Sequence, residues 1–276
     1  MTETVTTDRR GAERETPERR RVVREPFVEF HDVHKAYGTK QVLRGANLQV
    51  YRGEVLVILG GSGTGKSVTL RHMLGLEAPD EGRVIVEEED VTDLPEEELY
   101  RIRKKFGMLF QSGALFDSMT VFENVAFPLR EHTDMSDEEI ARNVREKLEL
   151  VNLPNTEQLM PVDLSGGMRK RVGLARSIVL DPKVILYDEP TTGLDPITAQ
   201  TINELIIDLQ AKLNVTSVVV THDIHSAFSV GDRIAFLHEG VFEWVGPMDA
   251  ARDSDHPKLR EFLKASAVVA AQPTKK

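Results

Sequence analysis

Phe27-Val28-Glu29-Phe30 alternates apolar and polar positions with a period of two, the pattern of a strand buried on one face. Val55-Leu56-Val57-Ile58-Leu59 is instead a continuous apolar run that ends in glycines. Such a run suits a strand covered on both faces, as in a parallel sheet. Val184-Ile185-Leu186-Tyr187 and Ser217-Val218-Val219-Val220 have the same character. Each of these runs ends in polar residues, and ligands of open α/β sheets gather at the carboxyl ends of strands. The middle of the chain has a different period. Ile140, Val144, Leu148 and Val151 share one helical face, opened by a capping box of Ser136 and Glu139.

From about residue 113 to 180 the pattern is helical with no convincing strand, which predicts a helical subdomain inserted between sheet strands. Two short strands are expected around a Glu239-Gly240 turn, and a helix over Pro257 to Lys264. The tail from Ala265 is weakly patterned, and no internal repeat is present. The expected division is a leader over 1–26, an α/β domain over 27–250 that contains the helical insertion, and a terminal helix and tail over 251–276.

Composition narrows the classes. A net charge of −10 argues against a nucleic-acid partner, which is ordinarily met by a basic surface. With no cysteine, disulfides and thiolate-held metals are excluded. No apolar run approaches the roughly 18 residues of a membrane-spanning helix. The leader mixes Arg19, Arg20 and Arg21 with Glu13, Glu15 and Glu18, unlike a secretory or transit peptide, and reads as a solvated, disordered segment. Service to a membrane would therefore pass through a partner.

The sharpest chemical signal is Gly60-Gly61-Ser62-Gly63-Thr64-Gly65-Lys66-Ser67, between a predicted strand and a helix containing Leu70 and Leu74. Glycines let backbone N–H groups turn towards phosphates, and the helix N-terminus adds partial positive charge. Lys66 is placed to reach the β- and γ-phosphates, and Ser67 to offer its hydroxyl to Mg²⁺. Asp188-Glu189 ends the Val184 strand. The first acid is suited to a metal site and the second to polarising an attacking water. Taken alone, the pair reads equally well as solvated acids at a strand end. Leu164-Ser165-Gly166-Gly167-Met168 then opens a helix running to Leu180. Ser165 can be a plain N-cap, yet a hydroxyl, two glycines and a helix dipole also make an anion site. One chain already has one phosphate site. A second makes sense if it completes another copy's site.

In this order the motifs resemble the ABC ATPase family, from Phe27 to about Gly246. The resemblance implies a P-loop NTPase fold: a RecA-like core, an antiparallel β subdomain and an inserted α-helical subdomain. It implies ATP and Mg²⁺ as ligands and a head-to-tail homodimer. Tyr37 looks like the aromatic that stacks on adenine, and Gln111 like the glutamine joining metal, water and membrane subunit. Ser165, Gly166 and Gly167 look like the family signature. Asp188 looks like the metal-site acid, Glu189 like the catalytic base and His222 like the γ-phosphate contact. Gly193-Leu194-Asp195 looks like the loop that crosses the dimer, and Asp195 also reads as an N-cap before Pro196. Glu189, His222, Gln111 and Lys66 are then the catalytic set, with Ser67, Gln111 and Asp188 at the metal. His222 and His225 also suggest a metal pair, for which no third ligand is evident.

Two departures point within the family. The signature ends in Met168 where glutamine is commonest, and Thr192-Gly193 replaces the usual serine-alanine. With Phe110 to Phe116 and Phe122 to Glu131, the Met168 signature resembles ATPases of Mla/Mce-type phospholipid transporters. That resemblance implies an MlaE-like permease, an MCE-domain lipid-binding protein, a small STAS-domain subunit, and a place at the cytoplasmic face of the inner membrane. Rival readings are a regulatory ABC ATPase of the cell-division type, an importer ATPase for another solute, and a chromosome-maintenance ATPase. The last needs a long coiled coil or a zinc insertion, and the sequence shows neither. A small-molecule kinase would leave Ser165 to Gly167 unexplained.

Overall fold

The continuous apolar runs become the central strands of one sheet. The computed structural model describes residues 25–271, with side chains to residue 265. The expected leader therefore lies, but for its last two residues, outside the described residues. The chain opens with β1 (Pro26–Tyr37) and β2 (Lys40–Tyr51), then β3 (Val55–Leu59) and helix α1 (Lys66–Met73). Strands β4 (Glu81–Val86) and β5 (Glu89–Asp90) precede α2 (Glu96–Arg103) and β6 (Phe106–Leu109). A stretch without strands carries α3 (Val121–His132), α4 (Asp137–Leu150) and α5 (Gly166–Ile178). The sheet resumes with β7 (Val184–Asp188), α6 (Pro196–Leu213), β8 (Thr216–Thr221) and α7 (Ile224–Val230). Strands β9 (Arg233–His238) and β10 (Val241–Pro247) and helices α8 (Met248–Arg252) and α9 (Pro257–Ala271) follow.

Six strands form the larger sheet in the order β10-β9-β3-β8-β7-β6. All its neighbours pair in parallel except β10, which is antiparallel to β9 at one edge. The parallel pairing explains the unbroken apolar runs. Val55, Val57 and Leu59 face one hydrophobic cluster with the helices, while Leu56 and Ile58 face a second. Ile185 and Tyr187 divide from Val184 and Leu186 in the same way. Both faces are covered, so neither can be polar. The second sheet, β2-β1-β4-β5, is antiparallel and packs Phe27, Phe30, Leu48 and Val84 onto the second cluster.

Three differences from the sequence reading have physical reasons. β1 runs on to Tyr37 beyond the Phe27–Phe30 alternation, because the pairing shifts register between Phe30 and Val33. Asp32 sits there at φ 51°, so a bulge flips the facing residues and hides the period. Helix α7 has only seven residues, too few for a helical period to show. Helix α9 continues past Lys264 to Ala271, through an alanine-rich stretch of high helix propensity.

Between β6 and β7 the capping box at Ser136 and Glu139 is present, and Ile140, Val144, Leu148 and Val151 are all buried in one cluster. A second capping box, Thr120 with Glu123, starts α3. Asn124 behind it is fully buried and bonds the Phe116, Met119 and Thr120 carbonyls, which fixes the loop after β6.

Candidate functional site

The turn from β3 into α1 has the geometry of an anion site. Gly65 stands at the N-cap with φ 107°, a conformation open to glycine, and no side chain caps the helix. The first-turn N–H groups of α1 are thus left for an outside acceptor. The Lys66 Nζ donates to the Gly60 and Gly61 carbonyls, both at 2.9 Å, and lies 3.5 Å from the Glu189 carboxylate. These contacts hold the ammonium over the loop where terminal phosphates would meet it.

Opposite this loop, the carboxyl ends of β7 and β8 bring the acids and the histidine. The Ser67 hydroxyl donates to Asp188 Oδ1 at 3.0 Å. Burial raises the Asp188 pKa, as does the neighbouring Glu189 charge, against the lowering effect of the Ser67 hydrogen bond and Lys66. Glu189 is placed by its backbone at φ 50°, with its amide donating to the Val220 carbonyl at 2.9 Å. Its carboxylate lies 2.8 Å from His222 Nδ1 and accepts from the Thr192 hydroxyl at 3.0 Å. Lys66, His222 and Thr192 therefore fix the two carboxylate oxygens from three sides.

A cleft of about 750 Å³ joins these groups. Tyr37, Gly61, Ser62, Gly63, Gly65, Lys66 and Ser67 line it from the chain before α2, and Gln111, Glu189 and His222 from the chain after it. Gly60 reaches it through its carbonyl on Lys66, and Thr64 bonds the Gly61 carbonyl from behind the loop. Tyr37 is half exposed at the cleft's edge, and its hydroxyl donates to Glu77 at 2.5 Å while Arg71 donates to the same oxygen. Burial and the Glu77 hydrogen bond raise the tyrosine pKa, and the Arg71 hydrogen bond lowers it.

The donor set suits a hard divalent cation. Ser67 and Asp188 present a hydroxyl and a carboxylate within hydrogen-bond distance of each other, and burial makes that carboxylate receptive to positive charge. Among the described residues no group of three or more His, Cys, Asp or Glu could hold a metal, so most ligands of a cation here would come from phosphates and water.

Ser165, Gly166 and Gly167 do not line this cleft. Ser165 caps α5 by accepting from the Met168 amide at 3.2 Å, and both Ser165 and Gly166 are exposed. A Cβ on Gly167 would lie 2.4 Å from Thr198 Cγ2, so any side chain there would have to push Thr198 aside. Asp195 caps α6, accepting from the Ile197 and Thr198 amides at 3.0 Å. The hydrogen bonds from Thr198 lower its pKa. Val162 and Ile197, beside these two helix starts, are 85% and 82% exposed. Two capped helix starts with exposed apolar neighbours thus lie outside the chain's own cleft.

Residues the sequence reading passed over include Lys40, Val42 and Phe262, which also line the cleft, and Arg71 and Glu77 behind Tyr37. None belongs to a motif, and only the fold brings them there.

Residues 43–192 match the ABC transporter family. Over 241 residues the chain is 44% identical to the probable ribonucleotide transport ATP-binding protein mkl of Mycobacterium tuberculosis, covering 87% of this chain and 67% of mkl. It is 41% identical to the intermembrane phospholipid transport system ATP-binding protein MlaF of Escherichia coli, covering 87% of this chain and 90% of MlaF. Among solved structures, the dimeric post-hydrolysis state of the ATP-binding cassette MJ0796 bound to ADP and Pi superposes with a TM-score of 0.74 at 36% identity. That match covers 80% of this chain and 98% of MJ0796. These matches place this chain in the ABC transporter family as an ATP-binding and ATP-hydrolysing subunit, in keeping with the glycine-rich loop that faces Glu189 and His222 on its sheet.

Proposed function

We propose that two copies of this chain pair head to tail and hydrolyse Mg²⁺-ATP to power phospholipid transport through a partner permease. In this reading Lys66 and the loop amides hold the phosphates, Ser67, Asp188 and Gln111 hold Mg²⁺, and Tyr37 stacks on adenine. Mg²⁺ supplies neutralisation of the charge on the phosphate oxygens. Glu189 takes the proton of the attacking water, and His222, bonded to that carboxylate, steadies it and faces the γ-phosphate. Ser165, Gly166 and Gly167 of the other copy close the site, with Asp195 and its loop crossing the interface. The exposure of Ser165 outside its own cleft, near exposed Val162 and Ile197, is what supports two copies.

The observation that carries the transport reading is a second cleft of about 480 Å³ beside Gln111. Phe110 and Phe116 are 42% and 43% exposed at it, and Phe127 and Pro128 of α3 form its other wall. Aromatic side chains left half in water mark a docking surface for an apolar partner segment. The segment 113–180 then acts as the subdomain that moves between nucleotide states. Among the described residues no helix is long and apolar enough to cross a membrane, so the permease supplies the span and holds the chain at the cytoplasmic face of the inner membrane. An MlaE-like permease, an MCE-domain protein and a STAS-domain subunit complete the proposed assembly. Phospholipid is favoured by correspondence with MlaF along 90% of that protein. A ribonucleotide cargo is the second reading, favoured by the 44% identity to mkl.

The test is to purify the tagged chain from detergent-solubilised membranes and assay ATPase of the complex. Co-elution of a polytopic membrane protein and stimulation by phospholipid vesicles, but not by ribonucleotides, is expected. Stimulation by ribonucleotides alone would overturn the phospholipid assignment.

A further inference from the structure

Lys170 lies on α5 only five residues beyond Ser165, yet its side chain is 4% exposed and takes no part in the cleft. Its ammonium donates to the Pro190 and Thr192 carbonyls at 2.7 Å each and reaches the Glu189 carbonyl at 3.4 Å. Three carbonyls of one turn thus converge on a group with three donors. Burial drives the lysine pKa down to about 8, against the raising effect of the Glu189 charge.

The turn it holds is the one that aims Glu189. With φ at 50°, that residue keeps a backbone conformation uncommon for any side chain but glycine, so its surroundings must maintain it. The opposite side of the turn is also fastened. Thr191 Oγ1 lies 3.1 Å from Ser226 Oγ on α7, and Ser226 donates to Asp223, the neighbour of His222. Removing the ammonium would take this donor from the Pro190 and Thr192 carbonyls, while the Glu189 carbonyl would keep only the Thr192 amide, so the turn would be free to shift.

We propose that Lys170 is a positioning residue for hydrolysis: it ties the 189–192 turn to α5, so that the Glu189 carboxylate keeps its place relative to the helix that Ser165 caps. This rests on Glu189 being the base, as proposed above. It gives each chain a mechanical link between the half-site it offers to its partner and the base it uses itself. Movement of α5 on nucleotide engagement is then felt at Glu189 through one buried side chain.

The experiment compares Lys170→Met with the unaltered chain, alone and combined with Glu189→Gln. Steady-state ATPase gives kcat and KM, mant-ATP titration gives nucleotide affinity, and single-turnover hydrolysis of γ-labelled ATP reads the slow Glu189→Gln background. Lys170→Met is expected to lower kcat by about 10- to 100-fold, the scale of misplacing a catalytic group by an ångström, with mant-ATP affinity kept within about twofold. Lys170→Gln retains two donors without charge and should fall between; if Lys170→Met does not fold, it carries the same comparison. In the Glu189→Gln background neither substitution should cost anything further, since the group being positioned is gone.

Equal fold-losses in both backgrounds would overturn the proposal while leaving Glu189 as base. Parallel loss of mant-ATP affinity and kcat would overturn it by making the lysine a general structural support. Wild-type turnover by Glu189→Gln alone would overturn the reading of the base, and with it this proposal, before any lysine variant is compared.

Discussion

The turn around Lys66 and the start of α5 are both glycine-rich helix entries, yet they are built to opposite ends. At the first, the reactive side chains have partners within the chain: Lys66 on two carbonyls, Ser67 on Asp188, and Glu189 on His222 and Thr192. At the second, Ser165 uses its hydroxyl on its own helix, and Gly167 brings α5 against Thr198 while Ser165 and Gly166 stay exposed. One region is a nearly finished half of a site. In the proposed dimer the other is the complementary half, offered to a second copy.

Perturbing each region sharpens this contrast. The largest effect should come from Glu189→Gln, which keeps the side chain's shape but removes the proposed base. ATP hydrolysis should slow by about 100-fold or more with mant-ATP binding retained. Unchanged hydrolysis would remove Glu189 from that role. Next is Gly167→Ala, whose added methyl would meet Thr198 Cγ2 at 2.4 Å. Overpacking of this kind costs about 1–3 kcal/mol, so the thermal midpoint should fall by several degrees, and nucleotide binding to the phosphate loop should survive. A wild-type melt would show that α5 and α6 are not in this contact.

The smallest effect should come from a site in neither region. Glu87 takes hydrogen bonds from Arg52, Lys105 and Lys183. Its partial burial raises its pKa, but those hydrogen bonds overcome this and hold it at about 2, below its ordinary 4.5. A depressed carboxyl pKa stabilises the fold fully above 4.5, and that stability is lost as pH falls from 4.5 towards 2. Glu87→Gln should cost about 1–2 kcal/mol at neutral pH and flatten the acid limb of stability over that window, while leaving turnover at neutral pH unaltered. An unchanged acid limb would show that these pairs are not what Glu87 contributes.

Legibility in the sequence followed the same division. The phosphate loop could be read because its chemistry lies in one contiguous motif, the acids and His222 only through family resemblance, and the buried strands because both faces are covered. The face around Ser165 was readable only as a superfluous anion site, and its exposed flanks at Val162 and Ile197 carry no motif. Lys170, Phe262, Arg71 and Glu77 could not be found in advance, since each acts through a partner far away in sequence that only the fold supplies. The extent of β1 was hidden by the bulge at Asp32, which breaks the period that would have announced it.

Mixing inactive chains shows whether the two unlike helix entries meet across a dimer. Lys66→Ala and Ser165→Arg should each abolish nearly all ATPase alone, because every site in either homodimer then carries one broken half. Mixed after unfolding and refolding together, half the dimers should be hybrids, each with one site built from two intact halves. Roughly a quarter of wild-type sites should therefore regain activity, as two-fold symmetry requires. A mixture no more active than its separate components, or a Ser165→Arg chain hydrolysing ATP at the wild-type rate, would contradict the account.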